Sequence, residues 1–338
     1  MALFPAVGRK QTPMRIGWWA VVLVLCVGIF MHMVPFYFMI ITSLKEGAET
    51  LHTPPTFWPQ HPTLQAWSSA FQIISSNYTG VGSDVTFVSF FWNSLFMTGM
   101  TVILSTPVTA LAAYASAKLL RGPLGRWIFI FFIGTMLLPG SVSLVSSYLL
   151  VRHFPFPFAI VPTLPSGDAF PTIDLTDSPW AVIVPAIFNA GGFFYYRAFF
   201  QTIPDSIIQS ARVDGGSELN IFRRIVMPMS IPVFAIVISG QFGAIWDGYL
   251  WPSLVITSPE KRPLSVAVNE LIKQFNQSGA LDPSQALQNA ETARHYLGQG
   301  LTWSGVMVLG ILQSIPTFLF FVLCFRYMLS GIRIRGLR

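Results

Sequence analysis

The chain has 338 residues, of which 53% are apolar and 10% charged, and a formal net charge of +6. Soluble domains carry about a quarter charged residues, so this composition excludes a soluble protein as the main body and points to an integral membrane protein. Both cysteines, Cys26 and Cys324, fall in apolar runs, which excludes a disulfide-stapled secreted scaffold.

Taken in order, residues 1–15 form a cytoplasmic N-terminus and 16–330 a transmembrane body, with 331–338 as a cytoplasmic tail. Six apolar spans are expected against a requirement of about 20 residues per crossing. They run 16–41, 85–117, 127–151, 178–196, 229–256 and 302–325. None contains Lys or Arg, and Asp247 is the one acid inside a span. The first run is too long for a signal-peptide core of roughly 7 to 15 residues and meets Lys45-Glu46 without a small-residue cleavage site, so it should stay as an anchor. Prolines 35, 107, 139, 185, 232, 252 and 316 lie in or near the spans and predict kinked helices.

Orientation follows from the basic residues. With the N-terminus inside, that side holds Arg9, Lys10, Arg15, Lys118, Arg121, Arg126, Arg197, Arg212, Arg223, Arg224, Arg326, Arg333, Arg335 and Arg338, fourteen of the 20 Lys and Arg. Both termini are therefore expected in the cytoplasm. The basicity reflects topology, with no contiguous patch for nucleic acid. Of the outer segments, 42–84 is rich in Pro, Trp and Ser and offers 64–74 as an interfacial helix. Segment 152–177 is Pro-rich and should lack regular structure, whereas 257–301 contains two stretches of helical character, 269–276 and 284–297.

The inner stretch 203–228 is the long polar interruption rich in both charge and helix-boundary signals. Thr202 with Pro204 and Asp205 reads as a helix start. Ile207, Ile208, Ala211 and Val213 share a stripe, and Asp214-Gly215-Gly216 stops the helix. Ser217 can cap a second helix, 218–227, with Arg223 and Arg224 in its last turn. The product is a helix, a glycine corner and a second helix.

Catalytic signals are lacking. The lysines at 10, 45, 118, 261 and 273 never follow glycine, so no phosphate-cradling loop is present. His32, His52, His61, His153 and His295 show no metal-ligand spacing. Energy for any transport must come from a partner. Asp247 is either cavity-facing or paired, or else solvated near the outer mouth. Trp246, Tyr249 and Trp251 suit either stacking on a sugar or an interfacial belt. Asn189, Gln241 and Gln313 suit either a pore lining or hydrogen bonds between helices.

Gln209-Ser210-Ala211, Gly215 three residues on, Ile225 nine further and then Met227-Pro228 keep the spacing of a known loop. The stretch resembles the EAA loop of ABC-importer permeases, in the carbohydrate-uptake subfamily that includes the maltose system's permeases. Gln209, Ser210 and Met227 depart from the family's Glu, Ala and Leu. Similar matches are Thr42-Ser43-Leu44-Lys45, Trp92-Asn93-Ser94-Leu95, Ala112-Ala113-Tyr114-Ala115, Met136-Leu137-Leu138-Pro139-Gly140 and Trp246-Asp247-Gly248-Tyr249-Leu250-Trp251-Pro252, so the resemblance runs from Pro35 to Ser330. Asp247 and Gly248 replace the usual Asn and acid.

The resemblance implies an all-α, six-span type I importer permease that pairs with a second homologous permease. It also implies an ATP-binding subunit dimer, which holds ATP and Mg, and an extracytoplasmic solute-binding protein that delivers a carbohydrate, an oligosaccharide in the first instance. No cofactor is expected in this chain and no enzymatic activity of its own. The alternatives are a polyol, a glycerophosphodiester or a uronic-acid polymer as solute, or an ion-coupled secondary transporter. Ile207, Ile208 and Ala211 are expected to pack into the ATPase groove, with Arg212 and Asp214 at its rim and Gly215 as the corner. The tail either reaches the ATPase or supplies positive-inside anchors through Arg333, Arg335 and Arg338.

Overall fold

The computed structural model describes residues 12–47, 49–51, 55–76, 85–120, 122–155, 172–277 and 302–335. These are almost wholly helical. The one β pairing among them joins Phe154–Pro155 to Thr172–Ile173, antiparallel and two residues long. They fall into two compact units, residues 1–73 with 272–312, and residues 74–271 with 313–338.

The first unit contains α1 (Thr12–Ser43) and most of α2 (Gln65–Ser76). The Arg15–Ser43 part of α1 carries apolar side chains all round and packs none of its most apolar stretch inside the chain, as a lipid- or partner-facing helix should. Its end is fixed by a polar loop. Glu49 accepts hydrogen bonds from Thr56 Oγ1 (2.6 Å) and from the Gln60 amide (3.0 Å), and the buried Lys45 ammonium donates to the Thr56 carbonyl. The interfacial helix expected at 64–74 is α2, shifted by a residue or two.

The second unit is built on α3 (Phe87–Tyr114), which continues as a π turn, Ala115–Leu119. Helices α4 (Pro123–Met136), α5 (Gly140–Arg152), α6 (Trp180–Ile183), α7 (Ala190–Gln201) and α8 (Asp205–Val213) follow. Then come α9 (Glu218–Met229), α10 (Ile231–Trp246), α11 (Leu250–Val255), α12 (Leu264–Gln277) and α13 (Trp303–Arg335), the last two shared in sequence between the units.

Among the described residues, three helices are long and apolar enough to cross a membrane: Arg15–Ser43, Phe87–Leu119 and Trp303–Leu329. The pair α9 and α10, bent by 84° at Ser230, counts as a fourth if it is one span. The other expected spans are interrupted, two of them at prolines. Pro139 opens α5 and divides 127–151, because a proline has no N–H to donate to the preceding turn. Pro185 sits in a 3-10 turn between α6 and α7, and the Asn189 side chain then caps α7 by accepting from the Gly192 amide (2.9 Å). The 229–256 run breaks at Asp247-Gly248-Tyr249.

Outer segment 152–177 has the short β pairing at its described ends, and its middle lies outside the described residues. The helical stretch at 269–276 belongs to α12, and the one expected at 284–297 lies outside the described residues.

The core of this unit lies where α3, α7 and α10 meet the inner stretch. Ala110, Ala113, Tyr114, Phe193, Tyr196, Phe200, Ile208, Ile221, Phe222, Val226, Val233 and Phe234 are buried together there. Tyr196 packs on Phe234 with ring centroids 4.6 Å apart, and Tyr114 on Phe222 at 5.4 Å. Such offset and tilted aromatic pairs add to plain area burial.

Candidate functional site: the glycine corner and the cleft above it

Helix α8 starts at Pro204, not at Thr202. Proline's fixed φ suits a helix start, and Asp205 puts a carboxylate in the first turn. Thr202 instead ends α7, its hydroxyl donating to the Phe199 carbonyl (2.8 Å). At the other end the Gly216 amide donates to Ala211 O (2.9 Å) and the Gly215 amide to Arg212 O (3.0 Å), the paired bonds of a Schellman stop. That stop requires a left-handed residue, and Gly215 supplies it with φ +81°. Ser217 then opens α9 in extended conformation, without a side-chain cap.

The corner exposes a different face from the expected stripe. Ile208 is 1% exposed and sits in the chain's own core, so it is not available to a partner groove. Ala211 is half-buried and packs against the same core. Val213, expected on the same stripe, is 88% exposed. The apolar groups facing outward are Ile207, Val213 and Leu219, alongside exposed Asp214, Arg223 and Arg224.

Arg212 is turned toward its own loop, where its Nε donates to Glu218 Oε1 at 2.6 Å. Tyr114 Oη donates to the other oxygen of that carboxylate (2.8 Å). Hydrogen bonding from Arg212 first, and from Tyr114, holds the Glu218 carboxyl below its usual value against the opposing effect of burial. Close by, the buried Lys118 ammonium donates to Asp205 Oδ1 and to Ile203 O, both at 2.7 Å.

Between α7 and α10 lies an open cleft of about 640 Å³, lined among others by Phe188, Asn189, Tyr195, Gly240 and Gln241, with no charged side chain on its walls among the described residues. Gln241 Oε1 accepts from Ser105 Oγ (3.1 Å) and, at 3.5 Å, from Asn189 Nδ2, while Gln241 Nε2 donates to Ala186 O (3.3 Å). Asn189 and Gln241 thus make hydrogen bonds between helices and also line this cleft.

Trp246 is not on that surface. It is 1% exposed, stacked on Phe242, and its indole N–H donates to Gln313 O (2.9 Å), so stacking on a sugar is excluded in this arrangement. Asp247 is exposed at the end of α10 and accepts from Thr317 Oγ1 (3.3 Å). With Tyr249 and Trp251 it lines a second, smaller cleft of about 270 Å³, where the Trp251 indole donates to Ala181 O.

Asp177 is a residue that the sequence did not single out. It has φ +55°, and its carboxylate accepts from Ser258 N (2.7 Å), Ser258 Oγ (2.6 Å), Thr257 N (2.9 Å), Thr257 Oγ1 (3.1 Å) and Lys261 Nζ (2.9 Å). Burial alone would raise this carboxyl, but the bonds from Ser258, Lys261 and Thr257 outweigh it and hold the group far below the usual carboxylate range. An aspartate just outside an apolar run, followed by Ser-Pro, is the only local signal for it.

Among curated proteins, the chain is 26% identical over 311 residues to the sn-glycerol-3-phosphate transport system permease protein UgpE of Yersinia pestis bv. Antiqua (strain Antiqua), covering 92% of this chain and 94% of the relative. It is 24% identical over 333 residues to the inner membrane ABC transporter permease protein YcjP of Escherichia coli (strain K12), covering 98% and 99%. Among solved structures it is similar to a chain of a bacterial ABC transporter involved in the import of the acidic polysaccharide alginate. The TM-score is 0.66 and the identity 19%, over 97% of this chain and 99% of that one. A structure of bacterial alginate ABC transporter in complex with alginate pentasaccharide-bound periplasmic protein gives 0.60 and 13%, over 96% and 98%. At these identities the structures show the fold, that of a type I importer permease. The sequence from residue 76 to 333 matches the family described as binding-protein-dependent transport system inner membrane component, which takes in the whole corner, both clefts and the helices that hold them, and this chain belongs to that family.

Proposed function

We propose that the chain is one of two homologous permeases of an importer for carbohydrate, an oligosaccharide in the first instance, powered by a separate ATPase dimer that binds ATP and Mg. Both termini lie in the cytoplasm, and an extracytoplasmic solute-binding protein delivers the substrate. The observation that carries this reading is the glycine corner, a compact pair of helices set between α7 and α10, with Ile207, Val213 and Leu219 turned outward. Those side chains, with exposed Asp214 at the rim, face a groove on the ATPase, and Gly215 keeps the turn tight enough to enter it, while Ala211 and Arg212, expected at that contact, pack and bond within the corner itself. Closure of the ATPase dimer on ATP moves the corners of the two permeases, and differential contact in the two states couples that motion to the helices.

For the solute, the uncharged walls of the cleft at Asn189 and Gln241 favour a neutral polyhydroxylated ligand, met by amides and by apolar and aromatic surface. The second reading is an anionic solute, a glycerol phosphate derivative or a uronic-acid polymer, because the similar proteins are named for glycerol 3-phosphate and alginate. The charge would then be met outside this cleft.

Reconstitution with the second permease, the ATPase and the binding protein tests both levels. Uptake must require ATP and the binding protein and persist without an ion gradient; uptake driven by an ion gradient alone would sink the importer reading. Competition by maltooligosaccharide, alginate oligosaccharide and glycerol 3-phosphate decides between neutral and anionic solutes.

A further inference from the structure

We propose that Lys118, Tyr114 and Glu218 bolt the inner loop to the Lys118 end of α3, so that loop and helix end move as one piece during the transport cycle. The inference rests on the coupling role of the loop and assigns to these residues the task of carrying its motion into a helix to which it has no direct chain connection. Residues 203–230 are joined through the backbone to α7 and α10 only. Motion reaches α3 across side-chain contacts.

Two polar grips make that contact. Lys118, 6% exposed, donates both to Ile203 O, in the link before α8, and to Asp205, the first residue of α8. Glu218, the first residue of α9, takes Tyr114 on one oxygen and Arg212 on the other. The start of each inner helix is thus held from the same turn and a half of α3. Apolar burial is non-directional and lets packed surfaces slide, whereas charged hydrogen bonds fix distance and register.

Burying an ammonium costs free energy unless it is paired, so this is an expensive way to achieve mere adhesion. The π turn at Ala115–Leu119 is the local device. Inserting a residue into the helical ladder changes the direction of the side chains after it, and here it turns Lys118 toward the loop. These are positioning residues, with no contact to solute or nucleotide required of them.

The test uses the complete complex in proteoliposomes, with spin labels at exposed Leu119 and Ser206, neither of which is placed in the ATPase contact. In the wild type the label distance should be narrow and unchanged between nucleotide-free and ATP-bound states. In Lys118→Met it should broaden and shift with ATP, while hydrolysis continues and solute moved per ATP falls by about tenfold, within the usual 5- to 150-fold range of site coupling. Lys118→Arg should restore both readouts.

Tyr114→Phe removes one hydroxyl and leaves the ring packed on Phe200 and Phe222, so it covers the case in which Lys118→Met fails to assemble. A fixed distance and a normal transport ratio in Tyr114→Phe, together with the same result in any assembled Lys118→Met, would overturn the bolt. A wild-type chain that binds no ATPase would overturn the importer reading instead, and the breadth of the label distance in wild type against Lys118→Met, which needs no nucleotide, would still decide the bolt.

Discussion

The glycine corner separates two adjacent glycines by mechanism. At Gly215 an added Cβ would meet nothing within 4 Å, so the cost of substitution is the left-handed backbone alone, about 1–2 kcal/mol for an ordinary residue and less for Asn or Asp. At Gly216 an added Cβ would lie 2.8 Å from the Ala211 carbonyl oxygen and 3.3 Å from Ile221 Cγ1. That oxygen is backbone, held in the α8 ladder, and accepts the Gly216 amide, so it cannot swing aside. Overpacking of about 1–3 kcal/mol and a weakened hydrogen bond of about 0.5–1.5 kcal/mol give about 1.5–4.5 kcal/mol against the closed corner.

This is roughly one to three decades in the closed-to-open ratio. Gly216→Ala should therefore cut ATP-dependent uptake by at least about tenfold while leaving the amount of permease in the membrane unchanged, since the spans are untouched. Gly215→Asn should stay within about threefold of wild type, because asparagine tolerates the left-handed region. Gly215→Asp adds an acid next to Asp214 on the exposed rim and should uncouple hydrolysis from uptake. The assays are uptake and stimulated ATPase activity of the reconstituted complex, normalised to membrane content. Normal uptake by Gly216→Ala would refute the claim that the corner must stay closed, and a Gly215→Asn defect as large as that of Gly216→Ala would refute the ranking.

Asp177→Asn keeps a residue suited to positive φ but removes the charge, and should lower stability at pH 7 by about 1.5–3 kcal/mol, the worth of charged hydrogen bonds. The folded carboxyl titrates below its ordinary value of 3.8, so its contribution is full above that pH and declines as pH falls below it. The melting gap between wild type and variant should therefore be constant near neutrality and shrink below about pH 4; a gap that widens on acidification would contradict the assignment. Trp246→Ala empties a fully buried site and should cost about 3–5 kcal/mol, seen as a lower melting temperature and yield. A stable variant whose only change was a higher KM for solute would place Trp246 in the solute path after all.

What the sequence made legible was local. Gly215 stops α8 because its neighbours in the chain demand a left-handed residue there, and that information is contained in four or five letters. The apolar runs were equally plain, and Pro139 and Pro185 marked two of their breaks, whereas the break at Gly248 carried no proline to announce it. Which of two adjacent isoleucines points inward was not readable. Ile207 and Ile208 have equal hydropathy, and the choice is made by Tyr114, Phe200 and Phe222, brought in from other helices. The Trp246-Asp247-Gly248-Tyr249 run looked like an exposed aromatic patch until Phe242, one turn earlier on the same helix face, and Phe320 on α13 enclosed its first ring or that ring's stacking partner.

Lys118 and Asp205 show the limit most clearly. They are 87 positions apart, and by composition alone each was one more inside charge. Counting Lys118 only toward orientation was incomplete, because a lysine at the end of a span is free to snorkel to water, and here it is 6% exposed. What turns it inward is an acceptor pair, Ile203 O and Asp205, that exists only once α7 and α8 are folded against α3. The same dependence makes the contact informative. A charge that forgoes solvent at the junction of three helices fixes their spacing, and a part that passes motion from one to another needs that spacing held.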